Sequence, residues 1–138
     1  MKLTISSPLA IAVREDKVRA LRADDSSGSF GILPGHADFL TALAISVVSW
    51  RLADGTEHHC AVRGGVLTVA GGDRVEIATR EAVTGDDLQT LETNVIVRFR
   101  ADLEAQRAEH VESTRLQLAA IRQIMRHLRP DGRIGNLG

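Results

Sequence analysis

The chain is 138 residues long, 43% apolar and 25% charged, with a net charge of -1. That length suits one domain, or one small domain with an appendage, and without an excess of positive charge a nucleic-acid partner is not expected. Three Phe, one Trp and no Tyr leave the core to Val, Ile, Leu and Ala.

Met1-Lys2 is followed by LTISS rather than by an apolar run, so no secretory leader is expected. From Lys2 to about Thr84, turn residues separate short runs rich in β-branched side chains. The runs are LTIS (3–6), LAIAV (9–13), KVRALRA (17–23), SFGIL (29–33), AISVVSWRL (44–52), EHHCAVR (57–63), GVLTVA (65–70) and RVEIATR (74–80). In the last, Val75, Ile77 and Thr79 alternate with Arg74, Glu76, Ala78 and Arg80, the period-two pattern of a half-buried strand. Asp54-Gly55 is a hairpin signal between two such runs. Many short strands at this spacing predict a sandwich or flattened barrel of about eight to ten strands over residues 1–85.

The stretch GSFGILPGHADFLTAL, residues 28–43, crowds three glycines, a proline and a histidine among apolar side chains. A phosphate cradle needs free glycine amides and a following lysine, yet Pro34 removes a donor and no lysine follows. Pro34-Gly35 suits a type II turn instead, with Leu33 held extended before the proline. The reading is an apolar strand, a sharp turn carrying His36, and another apolar segment. The most apolar window, Phe39–Trp50, has 12 residues and three hydroxyls, short of the roughly 20 that a spanning helix needs.

His58-His59-Cys60 invites a metal reading, but neighbours on a strand point to opposite faces, and His58 with Cys60 gives only two ligands. No metal site is expected. Cys60 is the single cysteine, so no internal disulfide forms and a reducing compartment is expected. No Gly-x-Ser-x-Gly elbow exists, and Asp24-Asp25 and Asp86-Asp87 sit where turns and helix starts want acids. No catalytic residue is expected.

Residues 86–129 contain neither Gly nor Pro and are rich in Leu, Ala, Glu, Gln and Arg, all strong helix formers. Asp86-Asp87 mark the start, and Pro130 and Gly132 the stop. Apolar residues recur at Leu88, Leu91, Val95, Phe99 and Leu103, then at Leu118, Ile121, Met125 and Leu128. One helix of that length would reach about 66 Å. A break near His110–Ser113, with Ser113 capping a second helix, gives an antiparallel hairpin over 86–130 and a tail over 131–138. Charge fits that division: residues 86–112 balance at -4, and residues 113–129 carry four arginines and no acid. A single long solvated helix is the alternative.

Two motifs carry a family resemblance over essentially the whole chain. Gly28, Gly31, Ile32, Leu33, Pro34, Gly35 and His36 match one; Val62, Gly64, Gly65, Leu67 and Val69 match the other, a Val-x-Gly-Gly-x-Leu-x-Val strand pair. Both resemble the epsilon subunit of F-type ATP synthases. The resemblance implies a non-catalytic rotor subunit at the foot of the central stalk, without cofactor, coupling ion movement to ATP synthesis or hydrolysis. His36, Ala37, Asp38, Phe39, Leu40 and Thr41 would face the gamma subunit, and Gly28, Ser29, Phe30 and Gly31 the membrane c-ring. The C-terminal helices, through Arg115, Arg122, Arg126 and Arg129, would make transient inhibitory contacts with the catalytic alpha and beta subunits. The implied location is peripheral, on the cytoplasmic side of the bacterial inner membrane.

Asp38 stands where the family usually has proline. Leu88, Gln89, Glu92 and Thr93 fall on a Leu/Ile-Asp-x-x-Arg-Ala motif that binds ATP in many bacterial members. An amide replaces the acid and an anion the cation, so no ATP-binding residues are expected. These departures and the arginine-rich ending resemble the divergent N-type ATPase branch. Two other readings compete: a free-standing sandwich that binds a ligand or acts as an adaptor, dimerising through its helices, and a metal enzyme built on His58 and Cys60.

Overall fold

A computed structural model describes residues 1–128, with side chains through Arg126. Among the described residues eight strands form: β1 (Lys2–Ser6), β2 (Ile11–Glu15), β3 (Val18–Asp25), β4 (Gly28–Ile32), β5 (Phe39–Leu52), β6 (Glu57–Ala70), β7 (Arg74–Ala78) and β8 (Ala82–Gly85). They are hydrogen-bonded in the order β2-β1-β7-β6-β5-β3-β4, and β8 pairs with the first half of β6. Among the described residues, β1 and β7 are the one parallel pair.

The two long strands make the fold two-layered. On β5 the buried positions are Leu43 and then Ser46, Val48 and Trp50, so the inward parity switches between residues 43 and 46. Opposite the switch, β6 bends at Gly64-Gly65, with φ of 68° and 121°. A Cβ on Gly65 would collide with the Ala78 carbonyl of β7, so this crossing requires glycine. Leu3, Ile5, Leu21, Ile32, Val48, Cys60, Val62, Leu67, Val75 and Ile77 fill the space between the layers.

Three strand expectations change. EHHCAVR and GVLTVA are one bent strand rather than a pair, because the glycines bend the backbone while its pairing with β5 keeps register. Strand β5 begins at Phe39, before the expected residue 44. Strand β8 has only four residues, too few to show a period of its own.

The chain divides into two compact units, Met1–Arg100 and Ala101–Gly138. In the first, Asp87 caps the helix start as its sequence position suggests, accepting from the Gln89 amide at 3.1 Å and the Thr90 hydroxyl at 2.7 Å. The Thr90 and then the Gln89 bonds hold its carboxyl below the usual range. A single turn, α1 (Leu88–Thr90), leads into a π-helical turn (Leu91–Ile96) and then α2 (Val97–Leu128). Leu91, Ile96 and Phe99 are buried against Ala61, Ile45, Val47 and Val83 on the outer side of β5, β6 and β8.

The expected helical hairpin is not formed: Val97–Leu128 is one continuous helix. Nothing at His110–Ser113 breaks the backbone ladder, and thinning of the apolar stripe does not by itself end a helix. Ser113 is no cap. Thr114 beside it returns its hydroxyl to the His110 carbonyl at 2.9 Å, within the helix. Arg129, Pro130, Gly132 and the expected tail lie outside the described residues.

Candidate functional site

The 28–43 stretch folds as its residues suggest. Strand β4 ends at Ile32, and the chain reverses through Leu33–His36, where the His36 amide donates to the Leu33 carbonyl at 3.1 Å. Gly35 takes φ 87°, the positive value a type II turn demands. This knuckle leans on the turn between β6 and β7. The Gly35 amide donates to the Gly72 carbonyl at 2.6 Å, and a Cβ on Gly72 would lie 3.2 Å from the Gly35 Cα.

His36 Nδ1 lies 2.7 Å from the Ala37 carbonyl, and its ring tilts over Phe39 at 5.7 Å. Phe39 meets Phe30 edge-on at 5.6 Å. Through that ring pair the structure joins the two expected clusters, His36 to Thr41 and Gly28 to Gly31, into one continuous surface. Ala37, Asp38 and Leu40 are exposed, whereas His36, Phe39 and Thr41 are half-buried. Gly28, Ser29 and Gly31 are exposed and Phe30 is half-buried. The Asp25 carboxylate organises the adjoining turn. It accepts from the Ser27 hydroxyl and amide and from the Thr41 hydroxyl, which hold its carboxyl below the usual range. The Ser29 hydroxyl donates to Asp24.

Beside the knuckle lies a flat surface that sequence reasoning missed. Leu40, Thr68, Glu76 and Thr4 form one row across β5, β6, β7 and β1; Ala42, Val66, Ala78 and Ser6 form the next. Leu40 is 68% exposed and Val66 44%. The signal was the alternation in VLTVA, whose Leu67 and Val69 go inward and leave Val66 and Thr68 outward. What it lacked was the strand order that sets these side chains beside Leu40 and Ala42.

His58 and His59 occupy opposite faces. His58 stacks on Trp50 at 6.0 Å, and His59 Nδ1 lies 2.7 Å from the Ser49 hydroxyl. Cys60 is buried in the core. At the ATP-motif positions, Leu88 is partly exposed, the Gln89 amide serves the Asp87 cap, Glu92 is exposed, and the Thr93 hydroxyl donates to the Gln89 carbonyl.

On α2, Arg115, Arg122 and Arg126 recur at spacings of seven and four, which confines them to about 40° of helix circumference. Leu116, Leu118, Ile121, Ile124 and Met125 lie on the same segment, and all are at least 49% exposed. Arg129 falls beyond the described residues.

Residues 1–85 match the family model of the β-sandwich domain of the ATP synthase delta/epsilon chain. The chain is 47% identical to ATP synthase epsilon chain 2 of Paraburkholderia xenovorans (strain LB400) over 94% of each chain. It is 44% identical to ATP synthase epsilon chain 2 of Cereibacter sphaeroides, over 93% of this chain and 88% of that one. Among solved structures it resembles a chain in the OSCP/F1/c-ring structure of the Euglena gracilis mitochondrial ATP synthase. That match has 25% identity and a TM-score of 0.57, and covers 66% of this chain and 58% of that one.

Proposed function

Because this chain belongs to the epsilon-subunit family of ATP synthases, as a non-catalytic part of the rotary central stalk, we propose that its knuckle and the adjoining flat face dock on the gamma subunit. The supporting observation is continuity: the exposed knuckle adjoins two outward rows, Leu40, Thr68, Glu76 and Thr4 and then Ala42, Val66, Ala78 and Ser6. Sheet faces of mostly short side chains suit a protein partner, since they allow close approach with little side-chain ordering. On this reading Gly28 to Gly31, at the far end of the Phe30–Phe39 contact, face the c-ring. No helix among the described residues is long and apolar enough to cross a membrane. The protein is a peripheral part of a membrane complex, and we place it on the cytoplasmic side.

The arginine stripe of α2 then supplies the inhibitory contact with the catalytic alpha and beta subunits, three like charges facing acidic side chains. Glu92 presents an anion at the start of the helical segment, so phosphate is repelled there. We expect no heat of ATP binding in calorimetric titration, and a micromolar dissociation constant would overturn that. The departures at Asp38, Gln89 and Glu92 favour a place on the divergent N-type branch.

Co-purification with tagged gamma tests the docking face. In Leu40→Glu and His36→Glu, burying a new charge in an apolar contact should cost on the order of 2 to 5 kcal/mol. Retention of gamma by both variants at wild-type levels would remove the knuckle from the interface.

A further inference from the structure

Arg63 sits at the seam between β6 and the start of the helical segment. It pairs with Ile45 of β5, and Ile45 packs against the cluster of Ala61, Leu91, Ile96 and Phe99. The Arg63 side chain is only 17% exposed, and among the described residues its Nη2 is buried without a hydrogen-bond partner. A guanidinium keeps its charge inside a protein, so a site this poorly solvated has to supply a counter-charge. Among the described residues the one carboxylate within 4.0 Å is that of Glu81, its Oε2 3.9 Å from Arg63 Nη1. At the same time Glu81 Oε1 accepts from Arg98 Nη2 at 3.0 Å, on the first turn of α2. The Arg98 guanidinium carbon lies 5.3 Å from the centre of the buried Phe99 ring. One carboxylate thus faces two cations, one oxygen to each. Its backbone is held in place for this: the Glu81 carbonyl accepts from the Arg63 amide at 3.0 Å and from the Thr79 hydroxyl at 3.2 Å.

We propose that Glu81 is the shared counterion that lets the helix start pack beside Arg63. Without its charge the two arginines would repel each other, and Arg63 would stand uncompensated at the edge of the Leu91, Ile96 and Phe99 cluster. Both penalties fall on the packed helix start. The shorter contact is not the stronger one. The Arg98 side chain is 52% exposed, and water screens such pairs until they contribute little. The Arg63 contact is longer but shielded, and Coulomb attraction persists over that distance where solvent is excluded. Glu81 therefore positions the helix start chiefly through the arginine that it does not hydrogen-bond.

Hydrogen exchange on the full chain tests this as a double-mutant cycle. Glu81→Gln keeps the side-chain shape and removes the charge, and amides 94–100 should then exchange about tenfold faster or more. Arg98→Met should speed them only about two- to fivefold. In an Arg63→Met background, where no shielded cation remains, the effect of Glu81→Gln should shrink to that smaller range. Amides of β1 and β3 serve as the fold control. Equal acceleration by Glu81→Gln with and without Arg63 would reduce Glu81 to a partner of Arg98 and overturn the proposal. An Arg98→Met effect as large as that of Glu81→Gln would do the same. Should Glu81→Gln not fold, adding Arg63→Met should restore folding, and a double variant that stays unfolded while Arg63→Met alone folds sinks the idea.

Discussion

Asp38, a charge where the family usually has a proline, has an internal task here. Its carboxylate accepts from the Gly71 amide at 3.0 Å, across 33 residues of sequence. It thereby ties the knuckle's far side to the β6–β7 turn, next to the Gly35–Gly72 bond. A proline at this place would fix its own backbone angle but could not accept that bond. Cys60 illustrates another residue-scale consequence. Burial pushes its thiol up from 9.0 to about 11. The folded state thus holds its proton more tightly than the unfolded chain does. Stability from this group is complete below pH 9 and is lost as pH rises from 9 towards 11. With no tyrosine and only two lysines in the chain, few other groups titrate there. Urea midpoints should fall more steeply between pH 9 and 11 in the wild type than in Cys60→Ala. Parallel curves would show that the thiol ionises normally.

At the scale of elements, the π-helical turn explains why the apolar stripe at the helix start was only half readable. A regular helix places Leu91, Val95 and Phe99 on one face. The π-helical turn adds a residue to the turn, so the buried set becomes Leu91, Ile96 and Phe99, with Val95 half-buried and Leu88 exposed. Val95, Ile96 and Val97 are apolar at three successive places, so the sequence pattern admits either phase. The sandwich surface selects one. Urea denaturation tests the phase: Ile96→Ala should cost about 2 to 5 kcal/mol, Phe99→Ala about 3 to 5, and Val95→Ala clearly less than Ile96→Ala. A larger loss at Val95 would restore the regular helix. The strands were easier to read. Asp54-Gly55 closes the β5–β6 hairpin, with Gly55 at φ 88° and the Thr56 amide donating to Asp54 at 2.9 Å. Turn chemistry of that kind is local and needs no partner strand.

At the scale of the whole molecule, the first unit runs to Arg100 and so includes the helix start. Leu91, Ile96 and Phe99 cover Ala61 on the outer side of the sheet, with Ile45, Val47 and Val83 packed around them. A chain cut after Arg100 should therefore melt cooperatively. One cut after Gly85 should melt at lower temperature and bind the dye ANS through the uncovered patch. Identical melting of the two fragments would mean that the helix start adds nothing to the fold.

Local sequence pattern was enough for most strand segments, the tight turns and the helical character of residues 88–128, though not for β8 or for the unity of β6. Period-two alternation, positive-φ glycines and helix propensity act within a few residues. It also determined the knuckle's shape, since Leu33-Pro34-Gly35 has few other backbone options. Only the tertiary structure decided which strands are neighbours, and hence that Val66 and Ala78 join Leu40 and Ala42 on one face. Only it decided that β6 crosses between layers at Gly65, and that Ile96 rather than Val95 goes inward. Each of those outcomes depends on a surface assembled from residues far apart in the chain, which no local pattern encodes.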